Sequence, residues 1–419
     1  MRIVLRGGTL FDGTGAPARP ATVIISHQQI EAVLEPSQPE PDGQVIDCGG
    51  KFILPGLIDT HVHLAFAAGP DHETTRRTLA EDDDATLLLR QVRHAQQCLL
   101  SGITTVRDCG GRDLSAFALR DAIAVGTLPG PRIVASGMPI TTTAGHLHFC
   151  GYRADSADEV RKAARTLIEK GADFIKVMAT GGNMTPGSNP CRPQYSQEEL
   201  TALVDDAHRL GRQVAAHVGA AEGIRRCLEA GVDTLEHGNW LNPDGSLGYD
   251  PHVAQRLAQQ GTFIGLAVPG IDRLNLLPET HPSQAARDRA LEALRAKYEP
   301  FRRMRAAGVP IMVSSDAGVR LTPFTDVYLS LETFSFAMDS SAAETLLAVT
   351  ATPARALKLD HEIGTIEAGK RADVLVVEDD PLADLKALAR VHLVLRDGAI
   401  AVEGGRLAMA TATEKTERK

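Results

Sequence analysis

Short apolar runs recur eight times between Gly56 and Ser315, and a helix-like stretch follows each one. The runs are Gly56 to His63, Ile103 to Arg107, Arg132 to Ser136, Phe174 to Ala179, Gln213 to His217, Thr234 to His237, Thr262 to Ala267 and Ile311 to Ser315. Between them, Ala85 to Leu100 has helical spacing of apolar residues with Gly102 just beyond it. Ser196 to Leu210 opens with the capping box Ser196-Gln197-Glu198-Glu199. Eight strand–helix units over about 300 residues predict an α/β fold, a (β/α)8 barrel spanning residues 57–358. No GxGxxG follows the first run, which argues against a dinucleotide-binding open sheet, and no solenoid-type repeat is present.

The two ends read differently. Arg2 to Arg6, Thr22 to Ser26 and Ile30 to Leu34 are short strands separated by Gly, Pro and Asp turns. Asp373 to Glu378, Val391 to Arg396 and Ala399 to Val402 repeat that texture, the last two joined by Asp397-Gly398. Residues 1–56 and 359–410 are therefore expected to form one small β-sandwich domain, with 411–419 as a flexible tail.

A charge sits in the wrong place. The run Phe174-Ile175-Lys176-Val177-Met178-Ala179 reads as a buried strand, yet Lys176 lies in its middle. An unpaired buried ammonium costs several kcal/mol or more, so this side chain needs a partner or another chemical form.

Barrel enzymes place their chemistry at the C-terminal ends of the strands. Here the first strand ends in His61-Val62-His63, two imidazoles on one face. The fourth carries Lys176, the fifth ends in His217, the sixth in His237, and the eighth in Ser314-Ser315-Asp316. Any one of these histidines alone reads as an ordinary core or surface residue. Lys176 alone could snorkel, and Asp316 alone could cap a helix. Six such residues at the strand ends of one rim outweigh those readings.

Imidazoles and carboxylates bind first-row divalent metals, zinc foremost. A neutral lysine amine joins them by reacting with carbon dioxide to form a carbamate. The costly cation then becomes an anionic ligand with two oxygens, able to bridge two ions. Lys176 is expected to be carboxylated in this way.

These residues carry a resemblance. The segment Leu54-Pro55-Gly56-Leu57-Ile58-Asp59-Thr60-His61-Val62-His63 is similar to the first-strand motif of the amidohydrolase superfamily. Lys176, His217, His237 and Asp316 resemble the ligands of its binuclear metal subtype. Ile363 to Asp373 resembles the return to the small β-domain. Gly181-Gly182, Pro186-Gly187, Gln194-Tyr195-Ser196, Gly231 to Gly238 and Thr143-Ala144-Gly145-His146 are similar to the branch with imidazolonepropionase-like proteins, zinc prolidases, arginine carboxypeptidases and ochratoxinase.

The resemblance implies two divalent ions, zinc or else manganese or cobalt. His61, His63 and Asp316 would hold one, His217 and His237 the other, and carboxylated Lys176 would bridge them. It further implies metal-assisted hydrolysis of an amide C–N bond in dipeptides or N-acyl amino acids. Asp316 would move the proton from water to the departing amine, and His146 would steady the oxyanion.

Two alternatives stay open. A binuclear lactonase or phosphotriesterase shares the ligand set, although such relatives generally lack the small β-domain. A mononuclear deaminase or imidazolonase carries a glutamate three residues after the strand-five histidine. Here that position is Ala220, and Lys176 is present. A dead scaffold fits poorly, since no ligand is missing. For a substrate carboxylate the candidates are Arg192, Tyr195, Arg153 and Arg320, because a guanidinium or hydroxyl can hold one. The branch often has a tyrosine soon after the strand-five histidine, whereas Val218-Gly219-Ala220 has none. Pro269 to Pro300 is expected to lie over the substrate.

The net charge of −9 argues against nonspecific nucleic-acid binding, and no apolar run reaches the roughly 18 residues of a membrane span. The six cysteines are scattered without a CxxC pair. That favours a reducing, cytoplasmic setting over a disulfide framework. Neither a nucleic acid nor a membrane is expected as partner. A small-molecule substrate is, and a homo-oligomer is compatible with the sequence.

Overall fold

The structure is a computed structural model describing residues 2–408. Met1 and residues 409–419 lie outside the described residues, and with them the expected tail at 411–419 and the last residues of the expected sandwich.

All eight runs are strands: Leu57–Val62, Ile103–Asp108, Arg132–Ala135, Ile175–Met178, Val214–Ala220, Thr234–Leu241, Phe263–Ala267 and Ile311–Ser314. Within two groups, the first three and the last five, they pair in parallel with their neighbours. Two joins complete the ring. Asp173 N–H donates to Ala135 O at 2.9 Å, linking third to fourth. Asp316 N–H donates to His61 O at 2.9 Å and His63 N–H to Ala317 O at 2.8 Å, linking eighth to first. Strands covered on both faces read as continuous apolar runs, which is why the sequence marks them so clearly. Helices such as Asp84–Leu100 and Gln197–Arg209 cover the ring, the second opened by the expected Ser196–Glu199 capping box.

The termini build a second, mixed sheet together. Its order runs Arg406–Leu407, Ala399–Glu403, Val391–Arg396, Val374–Val377, Phe52–Pro55, Arg2–Leu10, Arg19–Ser26, Gln29–Leu34. The register of Arg2–Leu10 shifts between Leu5 and Gly8. Its first half pairs with Gln44–Asp47 and its end with Phe52–Pro55, so one strand serves two parts of the sheet. Asp397 and Gly398 form the hairpin turn with φ of 51° and 74°, the left-handed geometry such a two-residue turn requires. A core including Ile3, Leu5, Val23, Ile53, Val374 and Leu393 lies within this sheet. Arg132, on the third barrel strand, pairs with Asp373 and Asp397 and ties sheet to barrel.

After the seventh barrel strand the chain forms helix Gly270–Leu274 and the long helix Gln284–Ala306. Among the described residues, no helix is long and apolar enough to cross a membrane. All six cysteines are free.

Candidate active site

The first barrel strand points Asp59, His61 and His63 to one side, as a period of two requires. Asp59 accepts from the backbone N–H of His61 and of Ser315, each at 3.2 Å, and from the Ser315 hydroxyl. Burial raises the Asp59 pKa, and these hydrogen bonds pull the other way. His63 sets its Nδ1 2.8 Å from Gly110 O, which leaves Nε2 facing inward.

Two residues reach the site by breaking the strand rule. The register puts Glu236 beside His217, so in a regular strand His237 would point away toward the helices. Its φ of 69° breaks the alternation and brings its ring to 4.6 Å from that of His217. Asp316 does likewise at φ 57°, directly after Ser315. Left-handed backbone at a non-glycine residue costs on the order of 1–3 kcal/mol and concentrates at functional positions.

The rings form a connected series. His61 lies 5.3 Å from His63 and 5.1 Å from His237, and His217 lies 4.6 Å from His146, centre to centre. Nε2 of His61 and of His63 each sit 3.6 Å from Asp316 Oδ1. Among the described residues, that buried oxygen has no hydrogen-bond partner. The three donor atoms fall within 4.8 Å of one another, as a divalent ion requires. An orphaned carboxylate oxygen facing two imidazole nitrogens fits a metal. His61, His63 and Asp316 are therefore the metal-binding group.

Lys176 is fully buried, and its Nζ lies 3.5 Å from His61 Nε2. Among the described residues it makes no ion pair within 4.0 Å. Burial lowers the pKa of His63 and of His237 to about 3, and takes His61 and His217 well below 6.5. Neutral imidazoles are the form that binds metal. Burial lifts Asp316 to about 7, against the pull of Lys176.

His146 is held from three directions. Its backbone N–H donates to Gln194, its carbonyl accepts from Thr141 Oγ1 at 2.6 Å, and its Nδ1 lies 3.2 Å from Thr185 Oγ1. Gly182 lies against the ring, where a Cβ would come within 2.5 Å of Nε2. Burial lowers this imidazole to about 3 as well.

The four carboxylate candidates separate. Arg320 lines the cavity over the metal group. Tyr195 does not: it is buried, with its hydroxyl donating to Ala154 O at 3.0 Å. Arg153 is exposed and donates to His148 O, and Arg192 is exposed away from the cavity. These three therefore do not line the cavity, because their loops turn the side chains elsewhere. His72, which ends none of the barrel strands, also lines the cavity, where burial and then Arg320 lower it to about 4.

Lys297 and Tyr298, from the long segment after the seventh strand, also line the cavity, and both donate to Asp272. Phe66, Met184 and Val319 add apolar surface. Sequence reading also missed Arg107 and Glu236. Two opposite charges inside two apolar strands were the available signal, the same kind that singled out Lys176.

Comparison with known proteins agrees with this geometry. Residues 52–401 match the model described as the amidohydrolase family. The chain is 28% identical to ochratoxinase from Aspergillus niger over 91% of its own length and 82% of that protein's. A solved Xaa-Pro dipeptidase with methionine in its active site covers 96% of this chain and 100% of its own, with a TM-score of 0.80 and 28% identity. A prolidase complexed with N-methylphosphonate-L-proline gives a TM-score of 0.81 and 27% identity, with the same coverage. With a metal group at the mouth of its barrel and a sheet shared by both termini, the chain belongs to the amidohydrolase family, hydrolases of carbon–nitrogen bonds.

Proposed function

We propose that the protein hydrolyses the amide bond of dipeptides or N-acyl amino acids. One observation carries this reading. A single cavity joins the metal-binding group to the guanidinium of Arg320 and to apolar Phe66, Met184 and Val319. That combination suits a substrate with a carbonyl, an apolar side chain and a carboxylate. The likeness to an Xaa-Pro dipeptidase, a prolidase and ochratoxinase supports it.

Two divalent ions, zinc foremost for these donors, would supply Lewis-acid polarisation of the carbonyl and activation of water. His61, His63 and Asp316 would hold one, and His217 and His237 the other. The amine of Lys176 would add to carbon dioxide, forming an N–C bond and releasing one proton. The resulting carbamate would replace a buried cation that, among the described residues, has no carboxylate within 4.0 Å. Asp316 would take a proton from the attacking water and pass it to the leaving nitrogen. His146, fixed by Thr185 and Gln194, would donate to the developing oxyanion.

The test is product release by zinc-loaded protein from dipeptides, N-acyl amino acids, lactones and a phosphotriester. Free amino acid from the first two groups is the expected result. Turnover restricted to lactone or phosphotriester would overturn the amide reading while leaving the metal group intact.

A further inference from the structure

We propose that Glu236 is a positioning residue that holds His61 as its Nδ1–H tautomer, with Nε2 turned to the metal. The inference rests on the metal-binding role of His61, His63 and Asp316, and is independent of the substrate.

Glu236 is fully buried in the sixth barrel strand. Its Oε1 accepts from Arg107 Nη2, and its Oε2 lies 2.9 Å from His61 Nδ1. The angle between Nδ1 and Oε2 falls short of a hydrogen bond, and among the described residues neither atom has another hydrogen-bond partner. Arg107 is pinned in turn: it donates to Thr60 O at 2.7 Å and Thr234 Oγ1 at 3.1 Å, and lies over the Phe174 ring. On the far side, Gly265 leaves room for the carboxylate, since a Cβ there would lie 2.3 Å from Oε2.

The two imidazoles of the metal group are therefore backed differently. His63 has a neutral carbonyl behind it, Gly110 O at 2.8 Å, whereas His61 has a carboxylate. A carboxylate behind a ligating imidazole fixes the tautomer and strengthens the nitrogen facing the ion, and losing such a partner typically costs 10–100-fold in metal affinity. Glu236 and Arg107 have no opening to the cavity, so substrate contact does not account for them.

The test is Glu236→Gln in the full chain, which keeps the shape and removes the charge. Chelator competition should show one ion held about 10–100-fold more weakly, and the cobalt-loaded protein should change its visible absorption spectrum. Affinities and spectrum equal to the parent's overturn the proposal. A second measurement needs no folded variant at position 236. In histidine-labelled ¹⁵N NMR of the wild-type protein, with the resonance identified by loss in His61→Asn, His61 should carry its proton on Nδ1. An Nε2–H tautomer overturns the proposal. A wild-type protein that binds no divalent ion overturns the metal reading together with it, whereas bound ions indifferent to Glu236→Gln overturn the positioning role alone.

Discussion

The hydroxyl of Ser315 donates to the carboxylate of Asp59, and through it the eighth barrel strand is held against the first. The same Ser315 oxygen accepts from Ala317 N–H at 2.9 Å. His61 and Asp316, which must face one ion, flank this contact. Ser315→Ala leaves a buried carboxylate oxygen and a buried N–H without their partner. It is expected to cost about 2–4 kcal/mol in urea unfolding, with weaker zinc binding. A variant as stable as the parent, with unchanged zinc affinity, contradicts the role of this contact.

Lys176→Ala should lose bound metal and activity together. Metal analysis after dialysis, set beside turnover, checks this. Full activity with two bound ions in the variant would sink the carbamate argument.

The metal-free protein should be acid-sensitive. His63, His146 and His237 fall to about 3 and His61 and His217 well below 6.5 in the fold, while in the unfolded chain they titrate near 6.5. Between about pH 3 and 6.5 the unfolded state thus binds more protons, and stability rises with pH. Asp316 runs the other way, since its pKa is raised to about 7 and its contribution falls as pH rises from 3.8 toward that value. Asp59 and Asp108 are raised by burial as well, and His72 and His94 fall to about 4, so seven imidazoles stand against three fully buried carboxylates and outweigh them below pH 6.5. Urea midpoints of metal-free protein should drop on acidification from about pH 6.5 to 5. A flat or rising trend would mean these histidines are not held neutral.

Arg320→Met should raise KM for an amide with a free terminal carboxylate about 10–100-fold, the loss of one charge-assisted contact. kcat should change little, and the same substrate with its carboxylate amidated should not distinguish the two enzymes. Equal KM values on the free acid would remove Arg320 from the substrate.

Gly182→Ala puts a methyl group within 2.5 Å of the His146 ring. Overpacking of this kind costs about 1–3 kcal/mol and moves the ring. Activity should fall at least about tenfold, the loss expected when one oxyanion donor is misplaced, while bound metal stays at the parent's level. Unchanged kcat would argue that His146 has no part in the reaction.

The barrel was legible because each strand is buried on both faces and so reads as an apolar run. The metal group was legible because its residues end those runs. What the sequence hid lies in side-chain direction. Nothing in the composition of the loops says that Tyr195 turns into the core toward Ala154 while Arg320 turns into the cavity. The positive φ at His237 and Asp316 was equally hidden: histidine and aspartate visit that region more than other non-glycine residues, but nothing in the neighbouring sequence marks these two as doing so. Lys176 was noticed because its charge stands alone in its run, whereas Arg107 and Glu236 lie in separate strands and show their pairing only once the barrel is closed.

The sheet shared by the two termini bears on how the chain is made. Phe52–Pro55 pairs with Val374–Val377, and the Lys51–Glu378 ion pair beside it joins residues 327 positions apart. At roughly 5–20 residues per second, that stretch takes on the order of tens of seconds to synthesise. Throughout it, the nascent chain carries an apolar strand edge, Phe52 to Leu54, whose partner has yet to leave the ribosome. That edge waits for its partner during translation, a delay that refolding of the finished protein does not impose.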